Sequence, residues 1–128
     1  MAKKVVVVDD SQTVHLSLEM AMEDLVNKGE IERISYLNPL ELVEDVKKGF
    51  TYDLCLTDIN MPEMDGLDLA KFLKSVPTTK VKPILALTTE NSAEMKAKGK
   101  AIGLTGWITK PFTSTKVVTA IKRVLRIR

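Results

Sequence analysis

Cysteine and histidine are the scarcest reactive residues of this chain, with one of each, Cys55 and His15, among 128 residues. A single thiol excludes an internal disulfide, so stability must come from a packed core, and it fits a reducing compartment, here the cytoplasm. Cys55 lies inside the apolar run Leu54-Cys55-Leu56, which reads as a buried structural thiol rather than a reactive one. His15 has no companion histidine or cysteine motif, so the expected place for it is the surface of a helix. Long apolar runs are missing as well. No 18-residue apolar stretch exists, which excludes a membrane-spanning helix. The opening MAKKVVVVDDSQ reaches carboxylates too soon for a secretory signal.

The last quarter lacks acidic groups altogether. Residues 1–94 hold all 17 acidic and 10 basic side chains, whereas residues 95–128 hold 9 basic and none acidic. Such a basic end is either a docking face for an acidic partner or a solvated helix surface. Nucleic-acid binding is disfavoured, because Trp107 and Phe112 are the only aromatics there and make no stacking platform.

What the chain does contain is an alternation of short apolar runs and helical patterns. Val5–Val8 is β-branched on both faces, as a central parallel strand requires. Ser11 offers an N-cap, and Val14, Leu18, Ala21, Met22 and Leu25 follow at helical spacing. Residues 32–37 form a weaker second strand. Asn38-Pro39 then supplies a cap and a first-turn proline. The third strand is Leu54–Leu56, and its helix runs from Leu67 to a stop before Pro77. A fourth strand is expected at Ile84–Leu87 and a fifth at Gly106–Thr109. The helix between them, about 91–102, is poorly amphipathic and carries Gly99, which costs about 1 kcal/mol relative to alanine. A short or mobile helix is expected there. Thr113 or Ser114 caps the last helix. Five strand–helix pairs imply an α/β fold, a parallel sheet with helices on both faces, and one domain over residues 1–128 with no effector domain.

The chemistry collects at the strand ends. The first strand ends in Asp9-Asp10, the third in Asp58, the fourth in Thr88 and the fifth in Lys110-Pro111. Parallel strands put all of these on one edge, where open α/β sheets bind their ligands. Converging carboxylates repel unless a cation joins them. Magnesium prefers oxygen ligands and takes one or two carboxylates together with phosphate, which leaves another carboxylate free as a nucleophile. A hydroxyl and an ammonium complete a cradle for phosphoryl oxygens.

The segments VVVVDDS, LTDINMPEMDG, ILALTTE and GWITKPF, in this order and spacing, resemble the receiver domains of two-component response regulators, most of all the stand-alone chemotaxis receivers of the CheY type. The resemblance spans essentially the whole chain. It implies a flavodoxin-like five-stranded sheet of order 2-1-3-4-5. It implies that Asp58 accepts the phosphoryl group from a histidine kinase. Asp9 and Asp10 would hold Mg²⁺ together with Asp58 and the backbone carbonyl of Asn60, with Asp10 expected to be the direct ligand of the pair. Thr88 would be the switch hydroxyl and Lys110 the phosphate-pairing lysine, with a cis Lys110-Pro111 bond. Asn60 and Glu90 would set the phosphoryl lifetime, and their identity predicts a short one. The flagellar motor switch is the implied output partner if the pathway is chemotaxis. No turnover of an external substrate is implied.

Departures from the family pattern carry expectations of their own. Trp107 stands where a tyrosine or phenylalanine is usual, and its bulk predicts a ring that stays outward. Asn38-Pro39 replaces an acidic-glycine turn and is expected to act only locally. Competing readings are a phosphorelay shuttle, a phosphorylation-independent interaction module, a haloacid-dehalogenase-type phosphatase and a flavodoxin. The phosphatase needs an aspartate where Asn60 stands. The flavodoxin needs a hydroxyl-rich phosphate loop where Asp9-Asp10-Ser11 stands.

Overall fold

The computed structural model describes all 128 residues. Its elements follow in strict alternation: β1 (Lys3–Val8), α1 (Gln12–Asn27), β2 (Ile31–Tyr36), α2 (Pro39–Lys47), β3 (Leu54–Thr57), α3 (Gly66–Ser75), β4 (Ile84–Thr88), α4 (Ala93–Ile102), β5 (Gly106–Thr109) and α5 (Ser114–Leu125). All strand pairs are parallel and the order is β2-β1-β3-β4-β5, as the resemblance implied. No helix is long and apolar enough to cross a membrane.

The pleat sorts the core into two layers. Val5, Val7, Leu54, Leu56, Leu85 and Leu87 face α1 and α5, where they meet Leu18, Met22, Leu25, Val117 and Ile121. Val6, Val8, Cys55 and Ile84 face the opposite way and meet Leu42, Val43, Val46, Leu69, Ala70 and Leu73 of α2 and α3. Consecutive side chains of a strand point to opposite faces, so a run apolar at every position must be covered twice. Each fully buried aliphatic side chain stabilises the fold by roughly 1.5–3 kcal/mol. Cys55 is a fully buried member of the second layer, as expected.

A third, smaller cluster of Ile59, Leu67 and Ala86 lies under α4, with Met95, Ile102, Leu104 and Trp107 packed against it. It explains the weak pattern of α4. Gly99 is the one buried residue of that helix. A side chain there would place its Cβ 2.8 Å from Leu104 Cδ1 and 3.1 Å from Trp107 Cζ3. The glycine is the seat of a large side chain rather than a defect. The expected short helix is not found: α4 has ten residues, an N-cap at Ser92 and a left-handed C-cap at Gly103.

Element ends shift by a residue or two from the sequence reading. β1 begins at Lys3, because Lys3 and Lys4 pair with Ile31 and Glu32 although their side chains are exposed. β2 begins and ends one residue early, at Ile31 and Tyr36. β4 runs on to Thr88, which pairs with Thr109. The caps at Ser11 and Asn38 form as read, and of Thr113 and Ser114 it is Thr113 that caps α5.

Candidate functional site

Strand register brings the polar strand ends together. Val8 is level with Tyr36 on one side and Thr57 on the other, and Thr88 is level with Thr109. The next residue of each strand therefore emerges on the same edge. Backbone bonds continue the ladder past the strands: Asp9 N–H donates to Tyr36 at 3.1 Å, Asp58 to Val8 at 3.0 Å and Lys110 to Thr88 at 2.9 Å.

Asp9 is buried, and both of its oxygens are engaged. Oδ1 accepts the Ser11 N–H at 2.9 Å, and Oδ2 accepts from Lys110 Nζ at 2.7 Å. Asp58 is divided the same way. Oδ1 accepts the Ile59 N–H at 2.6 Å, while Oδ2 faces Lys110 Nζ at 3.1 Å. Asp10 is exposed, yet carboxylate oxygens of Asp9, Asp10 and Asp58 lie within 4.8 Å of one another. Desolvation works against the Lys110 ammonium, but the hydrogen bonds and charges of Asp9 and Asp58 outweigh it and hold its pKa above the ordinary lysine value.

Three carboxylates and one ammonium leave the cluster two charges short of neutrality. A hard divalent cation with oxygen ligands fits that deficit and the close set of donors. A carboxylate such as that of Asp58, with the Lys110 ammonium beside it, can act as a nucleophile.

Thr88 is buried, and its Oγ1 accepts the Glu90 N–H at 3.2 Å. Glu90 in turn receives Asn60 Nδ2 at 3.4 Å and Ser92 Oγ at 3.3 Å on its carboxylate. Asn60 and Glu90 thus form one rim of the site. The bond at Lys110-Pro111 is cis, as expected.

Trp107 departs from its expected position. The ring is half-buried against the cluster under α4, and its indole N–H donates to the Glu90 carbonyl at 2.9 Å. An indole must satisfy its N–H, and the loop between β4 and α4 supplies the acceptor. The bulk that predicted an outward ring is accommodated by the missing side chain of Gly99.

His15 also departs from expectation. It is buried, not on the helix surface, and its Nε2 lies within hydrogen-bonding distance of the carbonyls of Asp9 and Tyr36. Its spacing of three from Leu18 and seven from Met22 puts it beside the apolar stripe of α1 but does not say which way it faces. Gly66 is a second residue whose role is clear only in three dimensions. Its N–H donates to Ile59 at 2.8 Å, and a Cβ there would collide with the Asp58 carbonyl and come within 2.9 Å of Ile59 Cα. The start of α3 thus presses on the backbone that carries Asp58.

Residues 5–122 match the response regulator receiver domain. The chemotaxis protein CheY-3 of Vibrio cholerae is 31% identical over 121 residues, which cover 94% of this chain and 90% of that protein. The structure of the chemotaxis protein CheY4 of Vibrio cholerae aligns with a TM-score of 0.87 at 34% identity, over 98% of this chain and 100% of that one. The receiver domain of a sensor histidine kinase from Pseudomonas aeruginosa, solved with a magnesium ion coordinated in its active site cleft, shares the fold at a TM-score of 0.84 and 17% identity, over 98% and 99% of the two chains. The order of the sheet, the polar cluster at its edge and this match over nearly the whole chain lead to one conclusion: the protein belongs to the response regulator receiver domain family of two-component signalling, with relatives among the CheY-type chemotaxis proteins.

Proposed function

We propose that this chain is a cytoplasmic phospho-acceptor receiver whose Asp58 takes a phosphoryl group from the phosphohistidine of a sensor histidine kinase, within a chemotaxis pathway. The observation that carries the reading is the convergence of Asp9, Asp10 and Asp58 at one strand edge with Lys110 Nζ 3.1 Å from Asp58. Magnesium, held by the carboxylates of Asp9, Asp10 and Asp58 and the Asn60 carbonyl, would supply the positive charge that phosphoryl transfer needs.

The chain's own residues do the rest. A carboxylate oxygen of Asp58 attacks phosphorus as the phosphorus–nitrogen bond of the donor breaks, and the departing imidazole keeps the electron pair. The Ile59 N–H already orients the Asp58 carboxylate at 2.6 Å. Lys110 pairs with an oxygen of the transferred group, and the Thr88 hydroxyl donates to another. Thr88 then loosens its hold on the Glu90 N–H, and the change passes to the loop that Trp107 grips. The face of α4, β5 and α5 responds. Its exposed Lys96, Lys98, Lys100, Lys116 and Arg123 suit an acidic partner, the flagellar motor switch in a chemotaxis setting. The protein acts as acceptor and switch and turns over no external substrate.

Intact mass after incubation with acetyl phosphate and Mg²⁺ tests this. The wild type should gain one phosphoryl group and Asp58→Asn none. Absence of the gain with both a small donor and a phosphorylated histidine kinase would leave only the phosphorylation-independent interaction module.

A further inference from the structure

The single histidine is 4% exposed and lies beneath the acidic cluster, and the phosphoryl chemistry above makes no use of it. Its Nε2 stands 2.7 Å from the Asp9 carbonyl oxygen and 3.1 Å from that of Tyr36. Carbonyls only accept, so the proton is assigned to Nε2 from the chemistry of its neighbours. Nδ1 is then an acceptor, buried with no partner.

This bond bears on the site through the backbone. The N–H of Asp9 is taken by the Tyr36 carbonyl at 3.1 Å. The carbonyl of Asp9 belongs to the peptide unit that joins Asp9 to Asp10. His15 grips that carbonyl from α1, so Asp9 is held from the sheet through its N–H and from the helix through its carbonyl. A rotation of this unit would swing Asp10, whose carboxylate is exposed and has no hydrogen bond of its own to orient it. A leucine or methionine would fill the same place on the apolar face of α1 without leaving an orphan ring nitrogen. Packing alone therefore does not account for an imidazole there.

We infer that His15 is a positioning residue for the divalent-cation site: its Nε2–H locks the Asp9-Asp10 peptide and so aims the carboxylate pair at the ion. The inference rests on the reading of the acidic cluster as a magnesium site.

The test compares magnesium affinity by calorimetry, and urea stability, for the wild-type chain, His15→Gln and His15→Leu. Glutamine restores an N–H near the position of Nε2, and leucine fills the space without a donor. His15→Leu should bind magnesium about tenfold more weakly or worse, the scale of losing a partner that orients a metal ligand. His15→Gln should stay within about threefold of the wild type, short of the loss that removal of such a partner brings. The affinities should not follow the urea midpoints. Wild-type affinity in a folded His15→Leu overturns the inference, as does an equal loss in both variants that tracks their stability. A wild type that binds no magnesium overturns the reading of the cluster and this inference with it. If His15→Leu does not fold, long-range proton–nitrogen NMR of the wild type decides. The Nε2–H tautomer with ring signals that move on adding magnesium supports the inference. The Nδ1–H tautomer, or ring signals indifferent to magnesium, overturns it.

Discussion

The indole N–H of Trp107 donates to the carbonyl of Glu90 at 2.9 Å, which ties β5 to the loop that leads from the buried Thr88 into α4. The same residue, Glu90, donates its N–H to Thr88 and accepts on its carboxylate from Asn60 and Ser92. One loop residue therefore joins the Thr88 hydroxyl, the Asn60 side chain and the aromatic ring beneath α4.

Trp107→Phe keeps most of the ring and removes the donor. Loss of one net hydrogen bond should cost about 1 kcal/mol in urea unfolding. Amide exchange around residues 90–92 should quicken, because the loop loses its anchor to β5. An unchanged midpoint together with unchanged exchange would mean that the bond holds nothing.

Gly99→Ala sets two effects against each other. Alanine gains about 1 kcal/mol of helix propensity over glycine. Its Cβ would meet Leu104 at 2.8 Å and the Trp107 ring at 3.1 Å, and only the leucine end is free to turn away. Overpacking of this kind costs about 1–3 kcal/mol. The stability should therefore fall slightly or stay level, while Trp107 emission shifts as the ring is displaced. A gain equal to the full propensity difference with an unmoved spectrum would contradict the packing described.

Gly66→Ala should be far more damaging than either. The obstruction is backbone, the Asp58 carbonyl and Ile59 Cα, and backbone cannot rotate out of the way. The loss should reach about 3 kcal/mol or more, at the upper end for overpacked sites. Phosphoryl acceptance should fall with it, because the peptide that carries Asp58 must shift. Urea unfolding and intact-mass phosphorylation of the same sample check both parts.

Burial pushes the Cys55 thiol up to about 12 from an ordinary value near 9. Above pH 9 the unfolded chain releases this proton and the folded chain keeps it. The unfolded state then binds fewer protons, so stability falls as pH rises. Tyr36 and Tyr52 are also raised, by burial first, but from ordinary values of 10.0. Lys110 stabilises fully below its ordinary 10.5 and loses that contribution only as pH rises through its higher folded value. Between pH 9 and 10 the loss is thus mainly that of Cys55. It amounts to about 1 kcal/mol, because a proton held by the folded chain alone changes stability by at most about 1.4 kcal/mol for each step of one in pH. Cys55→Ala, although less stable overall, should show a flatter profile over that interval. Parallel slopes in urea unfolding would contradict the assignment.

Asn60 Nδ2 donates to the Glu90 carboxylate at 3.4 Å, and the resemblance to receiver domains implies that these two side chains flank the path of the water that attacks a phosphorylated Asp58. The phosphorylated form should decay within minutes in Mg²⁺. Survival for hours, followed by intact mass, would refute a fast-cycling receiver.

Much of this protein was legible in the linear chain because its signals are local. Strands that are apolar on both faces declare a covered parallel sheet, and Ser11, Asn38 and the pair Thr113-Ser114 declare the helix starts, of which the structure selects Thr113 for the last. The residues Asp9, Asp10, Asp58, Thr88 and Lys110 follow directly from where each strand stops, and the resemblance to receiver domains supplied their expected roles. What the chain by itself could not reveal are relations between segments distant in sequence. Whether Gly99 weakens a helix or seats a ring depends on Trp107, which arrives from another element. Whether His15 faces water or the Asp9 carbonyl depends on how α1 rolls onto the sheet, and a polar residue beside an apolar stripe does not state that angle. Periodicity and strand ends determined the fold class and the acidic edge, and the resemblance supplied the strand order. Packing alone decided where the indole, the imidazole and the backbone behind Asp58 find their partners, because burial and hydrogen-bond satisfaction are settled only when the elements meet.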